Sequence, residues 1–327
     1  MVLPIDINNI FSVNESSFDD LCNTVFQFQY QYNPIYRKWV DLIDTSPSER
    51  KIPQKIPALP ISFFKEQRVV TGNWQEQKIF ESSGTTGVVT SRHYVADIAI
   101  YEQSFIQGFE RQYGPIQNWC VLALLPAYLE RENSSLVYMA NKMIAISGHS
   151  ESGFYLYNYA ELANKLAELE LQGQPVLLLG VTFALLDFSA TFPLHLKHTV
   201  IMETGGMKGR GRELTRPELH ETLISRFKLN HIHAEYGMTE LLSQAYSKGN
   251  GRYYCPPWMK VYIRKEDDPF ELLTEGTGLI QIIDLANIYS CSFIATQDIG
   301  KLYADGSFEV LGRMDHADIR GCSLLVV

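Results

Sequence analysis

The middle of the chain alternates short, continuously apolar runs with stretches that have the periodicity of amphipathic helices. The predicted strands are 119–126, 175–183, 198–206 and 231–237, and the predicted helices are 97–112, 158–172 and 215–228. Strands that are apolar along their whole length indicate a sheet whose two faces are both covered by helices. The alternation of the two kinds of element therefore predicts an α/β architecture.

The N-terminal part of the chain has a different character. Residues 14–44 read as helical, with Asn14 or Ser16 as the cap and a break at Pro34. Residues 51–65 are rich in proline, which favours an extended segment along the surface.

The C-terminal part changes character again. After about residue 258, short strands joined by turn residues replace the alternation, and Asp305–Gly306 is a hairpin signal. We expect residues 1–75 to form a helical and proline-rich lead packed on the main domain. We expect residues 76–327 to form one large domain that becomes β-rich from about residue 258.

Charge and hydropathy exclude several classes of partner. The net charge is −9 and the pI is about 5.4, which disfavours binding to nucleic acid. The longest apolar run, 176–186, is shorter than the ~20 residues of a membrane helix, so we expect no membrane insertion. The first residues lack the features of a secretory signal, and the five cysteines are scattered without a CxxC pair. These features together favour a reduced, cytoplasmic protein.

Residues 81–87, ESSGTTG, place four hydroxyl side chains and two glycines directly after the apolar pair Ile79–Phe80. Hydroxyls and exposed backbone N–H groups bind phosphate oxygens, and glycines let the backbone approach closely and adopt positive φ. No lysine follows Gly87, so the segment is not a Walker loop. The segment predicts a phosphate-binding loop, and the alternative is a polar surface turn.

The segment 234–240, AEYGMTE, ends one of the predicted strands with three residues that suit a nucleotide. The Tyr236 ring can stack on a purine base, and the Thr239 hydroxyl can bond a phosphate oxygen. The Glu240 carboxylate is the hard oxygen ligand that Mg²⁺ prefers. The alternative is a strand end followed by ordinary helix-capping residues.

Two later segments add polar groups that suit a ribose. Asp298 in TQDIGKLY can accept hydrogen bonds from both ribose hydroxyls, and Arg313 in LGRMDHADIRG can complement a ribose or a phosphate. The alternatives are a solvated turn aspartate and a surface loop. All four segments in one chain, in this order, favour a nucleotide site.

The four segments SSGTTG, YGMTE, TQDIG and GRMDHADIRG resemble, in content and chain order, the adenylate-forming superfamily of acyl-CoA synthetases, luciferases and adenylation domains. The lead IPALPISFFK is similar to that of phenylacetate-CoA ligases. ETGGMKGR and the ending DIRGCSLLVV resemble the acyl-protein synthetase, or LuxE-like, branch. The resemblance implies the large N-terminal-type domain of these enzymes, with helix-covered sheets, ending in a β-rich lobe and without the small C-terminal domain.

The resemblance also implies roles for individual residues, with ATP and Mg²⁺ as the cofactors. The residues implied for the β- and γ-phosphates are Ser82, Ser83, Gly84, Thr85, Thr86 and Gly87. Those implied for adenine are Gly205, Gly206 and Tyr236, and those for ribose are Asp298 and Arg313. Thr239 contacts the α-phosphate and Glu240 holds Mg²⁺ in this assignment.

The implied reaction is activation of a carboxylic acid, with a fatty acid preferred, to acyl-AMP and transfer of the acyl group to a protein thiol. Cys322, near the end of the sequence, is the implied acceptor, and a buried, inert cysteine is the alternative. An acyl reductase or acyl-carrier protein is the implied partner. The alternative functions are an acyl- or aryl-CoA ligase and a catalytically incomplete nucleotide-binding subunit.

The expected absence of the small domain removes the lysine that it brings to the α-phosphate. Lys208 and Arg210, beside the adenine-site glycines, are candidate replacements. His231 and His233 share one face of a predicted strand and suit a metal, although the spacing gives no third ligand.

Overall fold

The computed structural model describes residues 5–43, 52–82, 90–126, 133–205, 214–265, 268 and 271–314. The α-helices are α1 Ile7–Phe11, α2 Glu15–Tyr32, α3 Pro34–Leu42, α4 Phe63–Glu66, α5 Ile98–Tyr113, α6 Ser135–Ser147, α7 Tyr159–Gln172, α8 Thr182–Thr191 and α9 Arg216–Phe227. The strands are β1 Leu59–Pro60, β2 Lys78–Glu81, β3 Arg92–Val95, β4 Cys120–Leu124, β5 Gly153–Tyr155, β6 Val176–Val181, β7 Thr199–Thr204, β8 His233–Tyr236, β9 Ala245–Ser247, β10 Met259–Arg264, β11 Leu272–Leu273, β12 Gly276–Asp284, β13 Phe293–Leu302 and β14 Phe308–Arg313.

The chain divides into two compact units. Unit 1 comprises residues 1–77, 87–96 and 255–327, and unit 2 comprises residues 78–86 and 97–254. Within unit 1, the N-terminal helices therefore share one compact body with the β-rich C-terminal part of the chain.

Unit 2 is built on a six-stranded sheet with the strand order β5-β4-β6-β7-β8-β9. The strands from β5 to β8 pair in parallel, and β9 pairs antiparallel with β8. Every residue of β4 and β6 is buried, which explains why these strands are apolar along their whole length. The predicted α/β architecture with helix-covered strands is confirmed.

Two helices of unit 2 differ from the sequence-based prediction. The strand predicted over 175–183 ends at Val181, and α8 begins immediately at Thr182. The apolar run continues through both elements, because the first turns of α8 are buried as fully as the strand. The helix α6 was not predicted, and the Ser134 hydroxyl caps it by accepting a hydrogen bond from Val137 N at 3.3 Å.

Unit 1 contains a second six-stranded sheet, with the order β1-β13-β12-β10-β11 and β14 added to β13. Its pairs are antiparallel apart from β1 with β13. The predicted hairpin at Asp305–Gly306 is present: Tyr303 N donates to Ser307 O at 2.9 Å across the turn between β13 and β14. The register of this hairpin shifts between Ile299 and Gly300, which marks a β-bulge.

The helices α2 and α3 of unit 1 lie within the helical segment predicted over 14–44, whereas α1 was not predicted. The Asn14 side chain forms a capping box with Ser17 at the start of α2. Asn33 ends α2 and caps α3, which begins at Pro34. In the part of the chain that the structure describes, no helix is both long enough and apolar enough to cross a bilayer.

Candidate nucleotide site

The carboxyl ends of β7 and β8 bring two of the predicted site residues together. Thr204 and Glu235 are paired residues on these two parallel strands. Gly205 and Tyr236 are the next residue on each chain segment, so they lie side by side at the sheet edge. Ligands of open α/β sheets bind outside the carboxyl ends of the strands. Gly205 has a φ of +69°, a backbone conformation that glycine adopts without strain.

Buried polar side chains hold the backbone at Gly205. The Thr182 hydroxyl, at the start of α8, donates to the Gly205 carbonyl oxygen at 2.8 Å. Glu203 Oε2 lies 3.3 Å from the same hydroxyl. The other oxygen of Glu203 accepts from Arg216 Nε at 3.1 Å and lies 3.6 Å from His220 Nε2. The buried Glu203 carboxylate thus ties α9 to the end of β7.

Tyr236 is largely buried, and its ring packs on a second tyrosine. The ring centroids of Tyr236 and Tyr253 are 5.9 Å apart with an interplanar angle of 59°. The Arg216 guanidinium lies over the Tyr253 ring, 5.2 Å from its centroid. Because Arg216 also pairs with Glu203, the two strand ends are connected through a continuous set of contacts.

Glu235 makes a second connection between the same strand ends. Its Oε2 accepts a hydrogen bond from the Thr204 hydroxyl. Burial raises the pKa of the Glu235 carboxyl to about 7, and the nearby charge of Glu203 acts in the same direction. A Cβ at Gly237 would lie 2.4 Å from Glu235 Oε1, so this carboxyl group and the YGMTE backbone fit together only with glycine at that position.

Thr239 and Glu240 lie in the turn that follows β8, which the bond from Leu241 N to Met238 O closes at 3.1 Å. The Thr239 side chain is partly exposed, and the Glu240 side chain is buried. The Glu240 carboxylate is an oxygen donor of the kind that Mg²⁺ prefers, so this residue fits the predicted ion.

Asp298 and Arg313 face each other in unit 1, on the paired strands β13 and β14. Arg313 Nε lies 4.0 Å from Asp298 Oδ1. Asp298 N donates to the Thr296 hydroxyl at 3.1 Å, which fixes the backbone at the aspartate. The Thr296 carbonyl accepts from the half-buried Arg264 guanidinium. The two residues predicted for ribose are therefore neighbours.

Ser82 directly follows β2 in unit 2, and it is partly exposed. Several predicted residues lie outside the described part of the chain: Ser83, Gly84, Thr85, Thr86, Gly87, Gly206, Lys208, Arg210 and Cys322. The metal hypothesis for His231 and His233 gains no support, because His233 Nδ1 lies 3.1 Å from the Tyr113 hydroxyl. Within the described ranges, no group of three or more His, Cys, Asp or Glu side chains is arranged to hold a metal.

The sequence pattern of the acyl-protein synthetase family, LuxE, matches residues 12–327. The chain belongs to this family. No curated protein sequence matches it. Among solved structures, the chain is similar to a 2-hydroxyisobutyryl-CoA ligase bound to its acyl-AMP and CoA, with a TM-score of 0.67 and 10% identity over 92% of this chain and 68% of that one.

Two further similarities are to longer ligases. An ATP-bound MatB chimera has a TM-score of 0.56 and 13% identity over 74% of this chain and 49% of its own. The amide bond synthetase McbA from Marinactinospora thermotolerans has a TM-score of 0.51 and 16% identity over 76% of this chain and 51% of its own. The chain thus spans about half the length of these proteins. The shared fold is that of adenylate-forming enzymes.

Sequence reasoning missed six polar residues beneath the strand ends, and all of them except Arg216 are buried. These residues are Thr182, Glu203, Thr204, Arg216, His220 and Glu235. A signal was present in the sequence, because Glu203 and Glu235 are charged residues inside runs that are otherwise mostly apolar. A buried carboxylate requires a partner, so such positions point to a polar network.

Proposed function

We propose that the protein uses ATP to convert a carboxylic acid, preferably a fatty acid, into acyl-AMP and transfers the acyl group to a protein thiol. The observation that carries the proposal is the adjacency of Gly205 and Tyr236 at the carboxyl edge of a parallel sheet, in a chain of the acyl-protein synthetase family. The ATP-bound and acyl-AMP-bound structures with the same fold support this choice of chemistry.

In the first step, an oxygen of the substrate carboxylate attacks the α-phosphorus of ATP. The bond from that phosphorus to the β-phosphate oxygen breaks, and pyrophosphate leaves. Gly205 and Tyr236 hold the adenine, Asp298 and Arg313 hold the ribose, and Thr239 contacts the α-phosphate. Glu240 would hold Mg²⁺, which when bound offsets the negative charge of the phosphates.

We assign the β- and γ-phosphates to the hydroxyls and glycines of residues 82–87. We assign Gly206 to adenine beside Gly205. The residues of this site position the reactants and stabilise developing charge, which is how proteins catalyse transfer at phosphorus.

In the second step, a thiolate sulfur attacks the acyl carbon of acyl-AMP. The bond from that carbon to the phosphate oxygen breaks, and AMP leaves. We propose Cys322 as the acceptor, and an acyl reductase or acyl-carrier protein as the partner that takes the acyl group onward. We also propose that the protein works in the cytoplasm, which its scattered cysteines support.

The test of the first step is exchange of labelled pyrophosphate into ATP, with Mg²⁺ and a panel of short, aromatic and long-chain carboxylic acids. We expect exchange that depends on one class of acid. Glu240→Gln keeps the shape of the side chain and removes its charge, so exchange should fall by about two orders of magnitude. Glu221→Gln, the same change at an exposed position on α9, is the matched control and should retain exchange.

The test of the second step uses the acid that exchanges, in radiolabelled form. Hydroxylamine-sensitive label on the protein, lost in Cys322→Ser, is the expected result. Label that persists as a thioester on the variant contradicts the acceptor assignment. Consumption of coenzyme A identifies a CoA ligase instead. ATP binding without any exchange identifies a nucleotide-binding subunit and contradicts the proposed activity.

A further inference from the structure

We propose that Glu235 is a positioning residue for nucleotide binding, because its carboxyl group joins the end of β7 to the residue that follows β8. The inference rests on the proposed function, which assigns Gly205 and Tyr236 to adenine. Glu235 has no assigned contact with the nucleotide and acts through these two neighbours.

The two oxygens of the Glu235 carboxyl group contact residues at the ends of two neighbouring strands. Oε2 accepts a hydrogen bond from the Thr204 hydroxyl, and Thr204 immediately precedes Gly205. Oε1 lies against the backbone of Gly237, in the space that a Cβ would occupy. Gly237 immediately follows Tyr236. A single buried side chain therefore sets the separation between the two segments that we assign to adenine.

The surroundings of Glu235 make this connection sensitive to pH. Its titratable neighbours in the described part of unit 2 are Glu203 on β7, Tyr101 on α5, Tyr246 on β9 and Tyr253 in the segment after β9. Burial raises the pKa of all three phenols, so they stay neutral at physiological pH. Burial also raises the pKa of Glu235 to about 7, so this group changes charge near neutrality.

Ionisation of Glu235 places a second negative charge beside Glu203 in a buried environment. Like charges in a low dielectric repel strongly, and a buried carboxylate draws water toward itself. Both effects disturb the contact between the ends of β7 and β8. We therefore expect the nucleotide to bind most tightly when Glu235 is neutral and more weakly as the pH rises through its pKa.

The experiment measures the KM for ATP and the kcat of pyrophosphate exchange from about pH 6 to about pH 8.5, together with the Kd of a fluorescent ATP analogue. For the wild-type protein, KM and Kd should rise about fivefold or more, with a midpoint near pH 7. Glu235→Gln keeps an acceptor for Thr204 and cannot ionise, so its KM and Kd should vary less than about twofold. The pH effect on kcat should be smaller than that on KM.

Thr204→Val supplies a second, independent variant that keeps the shape of the side chain and removes the donor. Its KM for ATP should be raised about fivefold to tenfold at every pH. Glu221→Gln is the control and should follow the wild-type pH profile. The inference is overturned if Glu235→Gln follows the wild-type profile, or if Thr204→Val binds ATP as the wild type does. A wild-type protein that neither exchanges pyrophosphate nor binds the analogue overturns the proposed function, and this inference with it.

Discussion

Strand β8 carries two titratable side chains, His233 and Glu235, that should act on the free energy of unfolding in opposite directions as the pH changes. Burial lowers the pKa of His233 to about 4 and raises that of Glu235 to about 7. A shift of one pKa unit corresponds to about 1.4 kcal/mol between the two protonation states. The variants Glu235→Gln and His233→Gln separate the two effects.

For Glu235, the folded-state pKa of about 7 lies above the reference value of 4.5. Between these values, the native state keeps a proton that the unfolded state releases, so rising pH destabilises the native state. The difference between these two pKa values corresponds to about 3 kcal/mol of stability, which is fully lost above about pH 7. Removing the titrating group by Glu235→Gln should therefore make the protein progressively more stable relative to wild type between about pH 4.5 and pH 7.

For His233, the folded-state pKa of about 4 lies below the reference value of 6.5. The native state therefore resists protonation, and stability present above about pH 6.5 is lost as the pH falls toward 4. The side chain is partly exposed, so solvent screening reduces the effect to roughly 1–2 kcal/mol. His233→Gln should become progressively more stable relative to wild type as the pH falls below about 6.5.

The measurement is urea unfolding of the wild type and both variants at several pH values, followed by tryptophan fluorescence, with Trp119 reporting from the same unit. The difference in the free energy of unfolding between each variant and the wild type should change with pH. It should rise with pH for Glu235→Gln and fall with pH for His233→Gln. In the wild type the contributions of these two groups oppose each other between about pH 4.5 and pH 6.5, so they should partly cancel there. A pH-independent difference for Glu235→Gln would refute the claim that this carboxyl group is buried and protonated near neutrality.

Two further substitutions test the geometry around the site. In Gly300→Ala, the new Cβ would lie 2.6 Å from the Glu309 carbonyl oxygen, so β14 should shift. The free energy of unfolding should fall by about 1–3 kcal/mol. ATP binding should weaken because β14 carries Arg313. Gly312→Ala, where no atom lies within 4 Å of the new Cβ, is its control in unfolding and binding assays. Thr182→Val removes the hydroxyl that holds Gly205, so the KM for ATP should rise about fivefold. Thr182→Ser keeps the hydroxyl and should keep the wild-type KM. An unchanged KM in Thr182→Val would contradict this role.

The elements predicted from hydrophobic periodicity agree with the structure where a single periodic stretch forms a single helix or strand. The helices α5, α7 and α9 begin and end within a residue or two of their predicted bounds, and the strands β4, β7 and β8 lie within theirs. Local capping chemistry fixes such boundaries, as Asn14 and Thr215 illustrate. The helix α8 was missed because its buried first turn has the same apolar composition as the buried strand β6 that precedes it.

The residues of the candidate site also fall into those that the sequence predicts and those that it does not. Residues that bind a ligand through a local motif, such as Tyr236 and Asp298, can be proposed from sequence because the motif is contiguous. The partners of Glu203 cannot, because Thr182, Arg216 and His220 come from two other elements that meet it only in the folded sheet. Sequence indicates that a buried charge needs partners, and only the topology of the sheet indicates which ones.

The ends of β7 and β8 have the same sequence pattern. Each has a glutamate two residues before a glycine: Glu203 before Gly205, and Glu235 before Gly237. Side chains alternate along a strand, so in an ideal strand each glutamate lies on the same face as its glycine. A buried carboxyl group at such a position costs stability, as the raised pKa of Glu235 indicates. An apolar side chain would avoid that cost, but it would leave Thr204 without this acceptor and the ends of β7 and β8 without this shared contact. The buried Glu235 carboxyl group, which costs stability, is therefore also the group that joins the two strand ends at the edge that we assign to the nucleotide.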